Sequence, residues 1–236
     1  MSLFINTAHR SNEPELMDDF SLKGELLRDT LDKLGKINKW LGGNNVTLSG
    51  VKELLINQPK DKTYTIIDLG CGHGDILRQL ANYGRNQNYK FNLIGIDANQ
   101  DAIDYATELS TNYPELSYKS TDIFSEAFED INFDIALTTL FLHHFKEPQI
   151  KQLLKILSEN AKIGIVVNDL HRSKLAYGLF KLLGLTISNK MIKQDGLTSI
   201  LRAFKKEELE EISNELNLKS QIHWKWAFRY QWLIKT

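Results

Sequence analysis

Three glycines alternate with other small or titratable residues in Gly70-Cys71-Gly72-His73-Gly74-Asp75, directly behind the β-branched apolar run Tyr64-Thr65-Ile66-Ile67-Asp68-Leu69. Glycine permits a tight turn and lets a ligand touch the backbone. A strand that feeds such a turn and then a helix presents it at the carboxyl end of a sheet, where α/β proteins bind ligands. Two ligand classes use this turn. A dinucleotide wants Gly-x-Gly-x-x-Gly, with its pyrophosphate at the helix N-terminus; here the sixth position is Asp75. Asp68 stands two residues before Gly70. A carboxylate repels a pyrophosphate and attracts an ammonium or a sulfonium. The charge signs therefore favour a cationic nucleoside.

Two more carboxylates follow at matching places. Asp97 ends the run Ile94-Gly95-Ile96-Asp97, where it can accept both hydroxyl hydrogens of a ribose. Asp122, after Ser120-Thr121, can accept an adenine N6 hydrogen, with Ile123 packing on the ring. Each has a bland alternative: Asp97 as a helix N-cap, Asp122 as the cap of a short turn.

These residues need strands and helices to align them. Phe91–Ile96, Leu116–Ser120, Phe133–Thr138 and Ile163–Asn168 read as further strands, and Ile76–Tyr83, a helix capped by Asn99, and the stripe Ile150, Leu153, Leu154, Leu157 read as helices between them. Gly84 is expected to stop the first of these. Apolar strands alternating with helices describe a parallel sheet covered on both faces, with right-handed crossovers. Upstream, residues 14–57 read as helical. Leu22, Leu26, Leu27, Leu34, Ile37 and Leu41 form one stripe, Gly42-Gly43 is its stop, and Ser49 is a candidate cap for a second helix. Downstream, Leu175, Leu179, Leu182 and Leu183 suggest a helix, Phe204 to Leu216 another, and Leu218–Trp224 with Ala227–Ile234 an antiparallel hairpin. The alternation Trp224, Trp226, Phe228, Tyr230, Trp232 is expected to pack one strand face on helices.

With 236 residues and no linker-like stretch, the chain reads as a single domain. It divides into an N-terminal helical cover (1–60), a ligand-binding core (61–168), an acceptor-side insertion (169–203) and a C-terminal helix and hairpin (204–236). The net charge of −1 and the lack of a basic, aromatic-interleaved face argue against a nucleic-acid partner. The single cysteine, Cys71, excludes an internal disulfide and a cysteine zinc site. Leu175–Ile187 is too short to span a bilayer and Met1–Arg10 lacks a leader pattern, so a cytoplasmic protein is expected.

Together the glycine turn, Asp97, the Asp122 region and Phe133-Asp134-Ile135-Ala136-Leu137-Thr138-Thr139-Leu140-Phe141-Leu142-His143-His144-Phe145 resemble class I S-adenosylmethionine-dependent methyltransferases over roughly 64–168. The resemblance implies a Rossmann-like α/β fold. Its seven-stranded, mostly parallel sheet would carry helices on both faces, an antiparallel C-terminal strand and an N-terminal helical cover over the cofactor. It implies S-adenosylmethionine as cofactor and S-adenosylhomocysteine as product. Asp68, Gly70, Cys71, Gly72, Asp97, Ala98, Asp122, Ile123, Thr139 and Leu140 would then line the cofactor.

Within that class the sequence narrows the acceptor. The segment after the fourth strand, Thr138-Thr139-Leu140-Phe141, is not the Asn/Asp-Pro-Pro-Tyr type of amino-adenine DNA methylases, and Cys71 lies inside the cofactor turn, so it cannot attack a cytosine. No second carboxylate accompanies Asp169, so no metal site is expected. Val166 to Tyr177, and Arg10 to Asp19 with Ile37-Asn38, resemble bacterial small-molecule methyltransferases acting on quinone, phenol or polyketide acceptors. The expected reaction is O-methylation of a small phenolic or polyketide-like acceptor, roofed by 175–203. C- or N-methylation of a quinone or amine, and a non-catalytic binding protein of this fold, are the rivals; a dinucleotide oxidoreductase is a third class. A histidine suits proton acceptance from a phenol. His171, with Asp169 beside it to orient it, and His144 are the candidates; His143, His144 and Arg172 can equally be structural. His9 and Arg10 either close the site or belong to a loose terminus. Oligomeric state is not legible.

Overall fold

The computed structural model describes residues 5–125, 128 and 131–236; residues 1–4 of the stretch read for a leader lie outside them. A 3₁₀ turn (Leu16–Asp18) leads into α1 (Gly24–Trp40) and α2 (Gly43–Leu54). Then β1 (Thr63–Leu69), α3 (Asp75–Gln87), β2 (Lys90–Asp97), α4 (Gln100–Leu109), β3 (Leu116–Ser120) and β4 (Phe133–Thr139) alternate. A second 3₁₀ turn (Leu142–His144), α5 (Glu147–Asn160), β5 (Ala161–Leu170), α6 (Lys174–Leu183), α7 (Lys190–Arg202), α8 (Lys206–Glu215), β6 (Lys219–Lys225) and β7 (Arg229–Lys235) complete the chain.

The strands form one seven-stranded sheet in the order β3-β2-β1-β4-β5-β7-β6. β1 to β5 pair in parallel, and β7 enters antiparallel between β5 and β6. The order reverses beside β1, which opens a crevice at the carboxyl ends there. One face carries Ile67, Ala136, Ile165 and Trp232 against Leu153, Leu157 and Ile212 of α5 and α8. The other carries Ile66, Ile135, Val166 and Leu233 against Val51, Leu54, Leu77 and Leu80 of α2 and α3. The inner strands β1, β4, β5 and β7 are thus apolar on both sides, and the expected mostly parallel, two-sided α/β fold is what the chain adopts.

Several local expectations are corrected. Residues 14–57 hold a 3₁₀ turn and two helices, and α1 buries Leu27, Thr30, Leu31 and Asn38 while Leu26 points to solvent. Ser49 lies inside α2 and bonds the Val46 carbonyl; Gly42, at φ 76°, makes the break. α3 runs through Gly84 to Gln87, and the glycine there makes room for the Phe91 ring, which lies where a side chain would stand. Asn99 caps α4 as expected, accepting from the Ala102 amide. The α6 leucines have the helical period but face outward: Leu175, Leu179 and Leu182 are exposed. It is α7, burying Ile192, Asp195, Ser199 and Arg202, that lies against the N-terminal segment. In the hairpin Tyr230 and Trp232 are buried, whereas Trp224 and Trp226 are exposed.

Candidate functional site

β1 delivers Asp68 to the carboxyl rim, and the chain turns through Gly70 (φ 68°), Gly72 (φ 51°) and Gly74 (φ 75°) before α3 begins. The turn is pinned from β2. The Gly70 and Cys71 amides donate to the Ile96 carbonyl, and the Gly72 amide donates to Asp97 Oδ2 at 3.0 Å. Asp97 Oδ1 accepts from the Asn99 amide at 3.0 Å, so each oxygen keeps a lone pair for a ligand. The Phe141 ring lies 2.2 Å from where a Gly70 Cβ would stand, and Leu31 of α1 covers Gly72. The N-terminal helices therefore do lie over the glycine turn. Cys71 is buried and its thiol is pushed well up by burial, then by Asp97 and Asp68, which leaves it an inert turn residue.

Asp68 is 2% exposed and its Oδ1 has no hydrogen-bond partner among the described residues. Burial pushes its carboxyl well above the usual range, and the carboxylates of Asp75 and Asp97 push it further. Asp97 is also raised, by burial against the bonds from Asn99 and Gly72. The crevice thus gathers carboxyls whose ionised forms burial and mutual repulsion disfavour, and a cationic guest relieves that cost. Asp122 is exposed and its Oδ1 takes the Phe124 amide at 2.9 Å, the turn-capping role; Ile123 is buried, and Ala98 is exposed. At the end of β4 Thr139 Oγ1 meets Thr47 Oγ1 of α2 at 2.8 Å. Leu140, at φ 53°, gives its amide to the Asn168 carbonyl. A non-glycine residue held at positive φ at a strand's carboxyl end is backbone strain of the kind found at ligand sites.

Beyond β4 lies a second polar group. His143 is buried; its Nδ1 meets Asp169 Oδ1 at 2.7 Å and its amide donates to Asp169 Oδ2. Asp169 is therefore spent on His143, not on His171 as the neighbouring positions suggested. Burial raises the Asp169 carboxyl, but the His143 charge and bonds outweigh it and its pKa is lowered. His144 Nδ1 meets Asp18 Oδ1 at 2.6 Å, and Asp18 Oδ2 takes Arg202 Nη1 at 2.6 Å. Burial acts to raise Asp18, and the bonds from His144 and Arg202 win, holding it well below its ordinary value. Glu15 Oε2 accepts from Ser199; its Oε1 lies 3.6 Å from His143 Nε2 and 4.0 Å from His144 Nδ1. Asp195 accepts the Leu16 and Met17 amides, and Arg10 donates to the carbonyls of Arg202, His143 and Phe145. Residues 10–18 are thus fastened by α7 across the histidine pair. Glu15, Asp18 and Arg202 belong to the site and carry no solitary sequence signal. Only the charge-rich run Arg10–Asp19 pointed there.

His171 sits apart, on the hairpin side. Its Nδ1 lies 3.3 Å from Trp224 Nε1 and its ring packs with Phe228 and Tyr230. Arg172 is buried and bidentate to Glu208 at 2.6 and 2.9 Å, a structural ion pair. Glu15, His143 and His144 could jointly approach a metal ion. Arg202 Nε, 3.7 Å from the same Glu15 oxygen, already supplies a positive charge there.

A glycine turn under an N-terminal cover, with carboxylates at the ends of β1 and β2 of this seven-stranded sheet, defines the class I methyltransferase fold. The methyltransferase-domain family model matches residues 60–223, and the chain belongs to that family, the S-adenosylmethionine-dependent class its glycine turn resembles. Among solved structures, it is similar to the plantazolicin methyltransferase BpumL in complex with SAH, at 18% identity and TM-score 0.64, over 89% of each chain. It is also similar to magnesium protoporphyrin IX methyltransferase (ChlM) from Synechocystis with bound SAH, at 14% identity and TM-score 0.55, over 85% of this chain and 87% of that one. A protein of Streptomyces fradiae described as an uncharacterized 37.1 kDa protein in transposon TN4556 is 33% identical over 82 residues; the match spans 35% of this chain and 23% of that protein. Among the described residues no helix is long and apolar enough to cross a membrane.

Proposed function

We propose that the protein transfers a methyl group from S-adenosylmethionine to the hydroxyl of a small phenolic or polyketide-like acceptor. One observation carries the reading. Among the described residues, the buried side-chain atoms without a hydrogen-bond partner belong to Glu15, Asn38, Asp68, Thr138, Asn168, Arg229 and Trp232. All but Trp232 stand at the carboxyl ends of β1, β4 and β5, at the adjoining start of β7, or in the cover above them. Buried polar groups are normally paired, so a concentration of orphans marks where a ligand completes the structure.

The residues fit that cofactor. Asp68 Oδ1 suits its ammonium, the free lone pairs of Asp97 suit a ribose diol, and the glycine turn lets the backbone approach. Asp122 spends one lone pair of Oδ1 on the turn and keeps Oδ2 for an adenine N6 hydrogen. When bound, the cofactor supplies an activated methyl on a sulfonium; the chain's own work is orientation, water exclusion and proton removal.

For that proton the geometry favours His144 over His171. His144 is held at Nδ1 by Asp18, its ring is part exposed, and it is close enough to the ribose-side carboxylate that its charge acts on Asp97. A histidine fixed at one nitrogen by a carboxylate presents the other as a base of defined direction. Burial lowers the His171 pKa, and Trp224 occupies its Nδ1, so it is assigned to packing. The different acceptors named for the two structural relatives, plantazolicin and magnesium protoporphyrin IX, are compatible with one cofactor crevice under variable roofs. Incubation with methyl-labelled S-adenosylmethionine and a panel of phenols, quinols and pyrones, read by mass spectrometry, tests this. Label on an oxygen supports it; label on carbon or nitrogen replaces O-methylation; no label from any acceptor together with no S-adenosylhomocysteine binding ends it.

A further inference from the structure

Resting on that reading, we infer that the acceptor carries an anionic oxygen, a carboxylate or an enolate, bound by Arg229 beside the N-terminus of α2. Arg229 opens β7, which runs antiparallel and so begins at the carboxyl rim of its neighbours. It is 3% exposed, and neither Nε nor Nη1 has a hydrogen-bond partner among the described residues. Burial pushes its pKa down to about 10, with Asp169 acting against the shift, so the guanidinium stays charged at neutral pH. Asp169 does not neutralise it by contact: Oδ1 is taken by His143 Nδ1 and the Leu170 amide, Oδ2 by the His143 amide.

The guanidinium points at the start of α2. A Cβ at Gly43 would meet Arg229 Cζ at 2.8 Å and Asn38 Oδ1 closer still. α2 is twelve residues long with Gly42 as N-cap and no side-chain cap bond, so its first amides and dipole face the same spot with the same sign. Two independent features, an orphaned buried cation and an uncapped helix start, thus ask for a negative oxygen. Asn38 Oδ1, unpartnered among the described residues, crowds the same Gly43 position as the guanidinium, and the Asn168 Oδ1 is unpartnered as well. Asn168 itself donates to the Gly43 carbonyl and Thr47, which holds α2 over the spot.

The methionyl carboxylate of the cofactor is the other source of such an anion. The sheet order sets β7 three strands from β1, about 14 Å at ordinary strand spacing, whereas ammonium and carboxylate share one carbon in an amino acid. With Asp68 on the ammonium, Arg229 is left for the acceptor.

The test uses the full chain saturated with S-adenosylhomocysteine, at constant ionic strength, with benzoate as the anionic probe and benzamide as its neutral isostere. At millimolar concentration benzoate is expected to raise Tm by about 3 °C and benzamide by less than half of that. Arg229→Gln is expected to abolish the benzoate effect while leaving the S-adenosylhomocysteine Kd within about threefold. Equal responses to the two probes, or a benzoate response that survives in Arg229→Gln, overturns the inference. So does a larger loss of S-adenosylhomocysteine affinity, which assigns the arginine to the donor's carboxylate. Should the variant not fold, the Arg229 Nε–H resonance of the native protein decides: it moves with benzoate and not with benzamide, or the inference fails. If S-adenosylhomocysteine does not bind the native protein, the methyltransferase reading fails by itself, and the benzoate comparison on the free protein still judges the anion site.

Discussion

Asp68→Asn should make the free protein more stable and the ligand complex weaker. The carboxyl is 2% exposed, one of its oxygens is unpartnered, and Asp75 and Asp97 face it with like charge. Burial first, and those charges second, raise its folded pKa above the unfolded value. An acid raised in this way binds its proton more tightly folded than unfolded. Its presence therefore costs stability as pH climbs from the ordinary carboxylate value through the folded pKa, and the cost vanishes below about pH 4. The amide cannot ionise and keeps the shape. Removing an uncompensated buried polar charge is worth about 2 kcal/mol, or ~6 °C in Tm for a chain of this size. The same change removes a charge-assisted bond to the cofactor's ammonium, about 2 kcal/mol, so S-adenosylhomocysteine should bind roughly 30-fold more weakly. Differential scanning fluorimetry at pH 7 and pH 4, with calorimetric titration of S-adenosylhomocysteine, reads both. A variant that melts lower at pH 7 and binds unchanged would refute the reasoning, because Asp68 would then be a structural acid and the crevice no cation site.

Asp97→Ala removes the acceptor of the Gly72 and Asn99 amides as well as the ribose contact, and S-adenosylhomocysteine affinity should fall by about 100-fold in calorimetry; unchanged affinity takes Asp97 out of the site. His144→Gln should lower kcat by about 10²–10⁴-fold on an accepted phenol while the S-adenosylhomocysteine Kd holds, and Asp18→Asn should lower kcat less; a His144 variant with native turnover dismisses the base. Glu208→Gln leaves the buried Arg172 guanidinium without its bidentate carboxylate. It should cost about 3 kcal/mol in urea unfolding without altering cofactor affinity, whereas a neutral result would make the pair merely incidental.

The cover and the insertion show where reading by pattern ended. The α6 leucines keep a faultless helical spacing, yet Leu175, Leu179 and Leu182 are exposed, because periodicity reports a face and not what lies against it. Asp169 and His171 stand two residues apart, a spacing that would put both on one strand face, but β5 ends at Leu170; beyond it His171 packs on the hairpin, and Asp169 is taken by His143. Gly84 looked like a helix stop and is a clearance for the Phe91 ring.

What the sequence determined is the local chemistry along single strands: the glycine turn, Asp68 and Asp97 at successive strand ends, the cap at Asn99, the parallel alternation and the closing hairpin. Those follow from residue type and short-range spacing, which the backbone converts directly into strand, turn and helix. What only the tertiary structure decided is which distant charges meet. Asp18 reaches His144 across 126 positions, Glu15 reaches Ser199 across 184, and Arg229 arrives against Gly43 with Nε and Nη1 unpartnered among the described residues. No short-range pattern encodes such meetings, because they are set by how α1, α2 and α7 settle over the sheet, and that packing is chosen by the burial of the whole apolar surface at once.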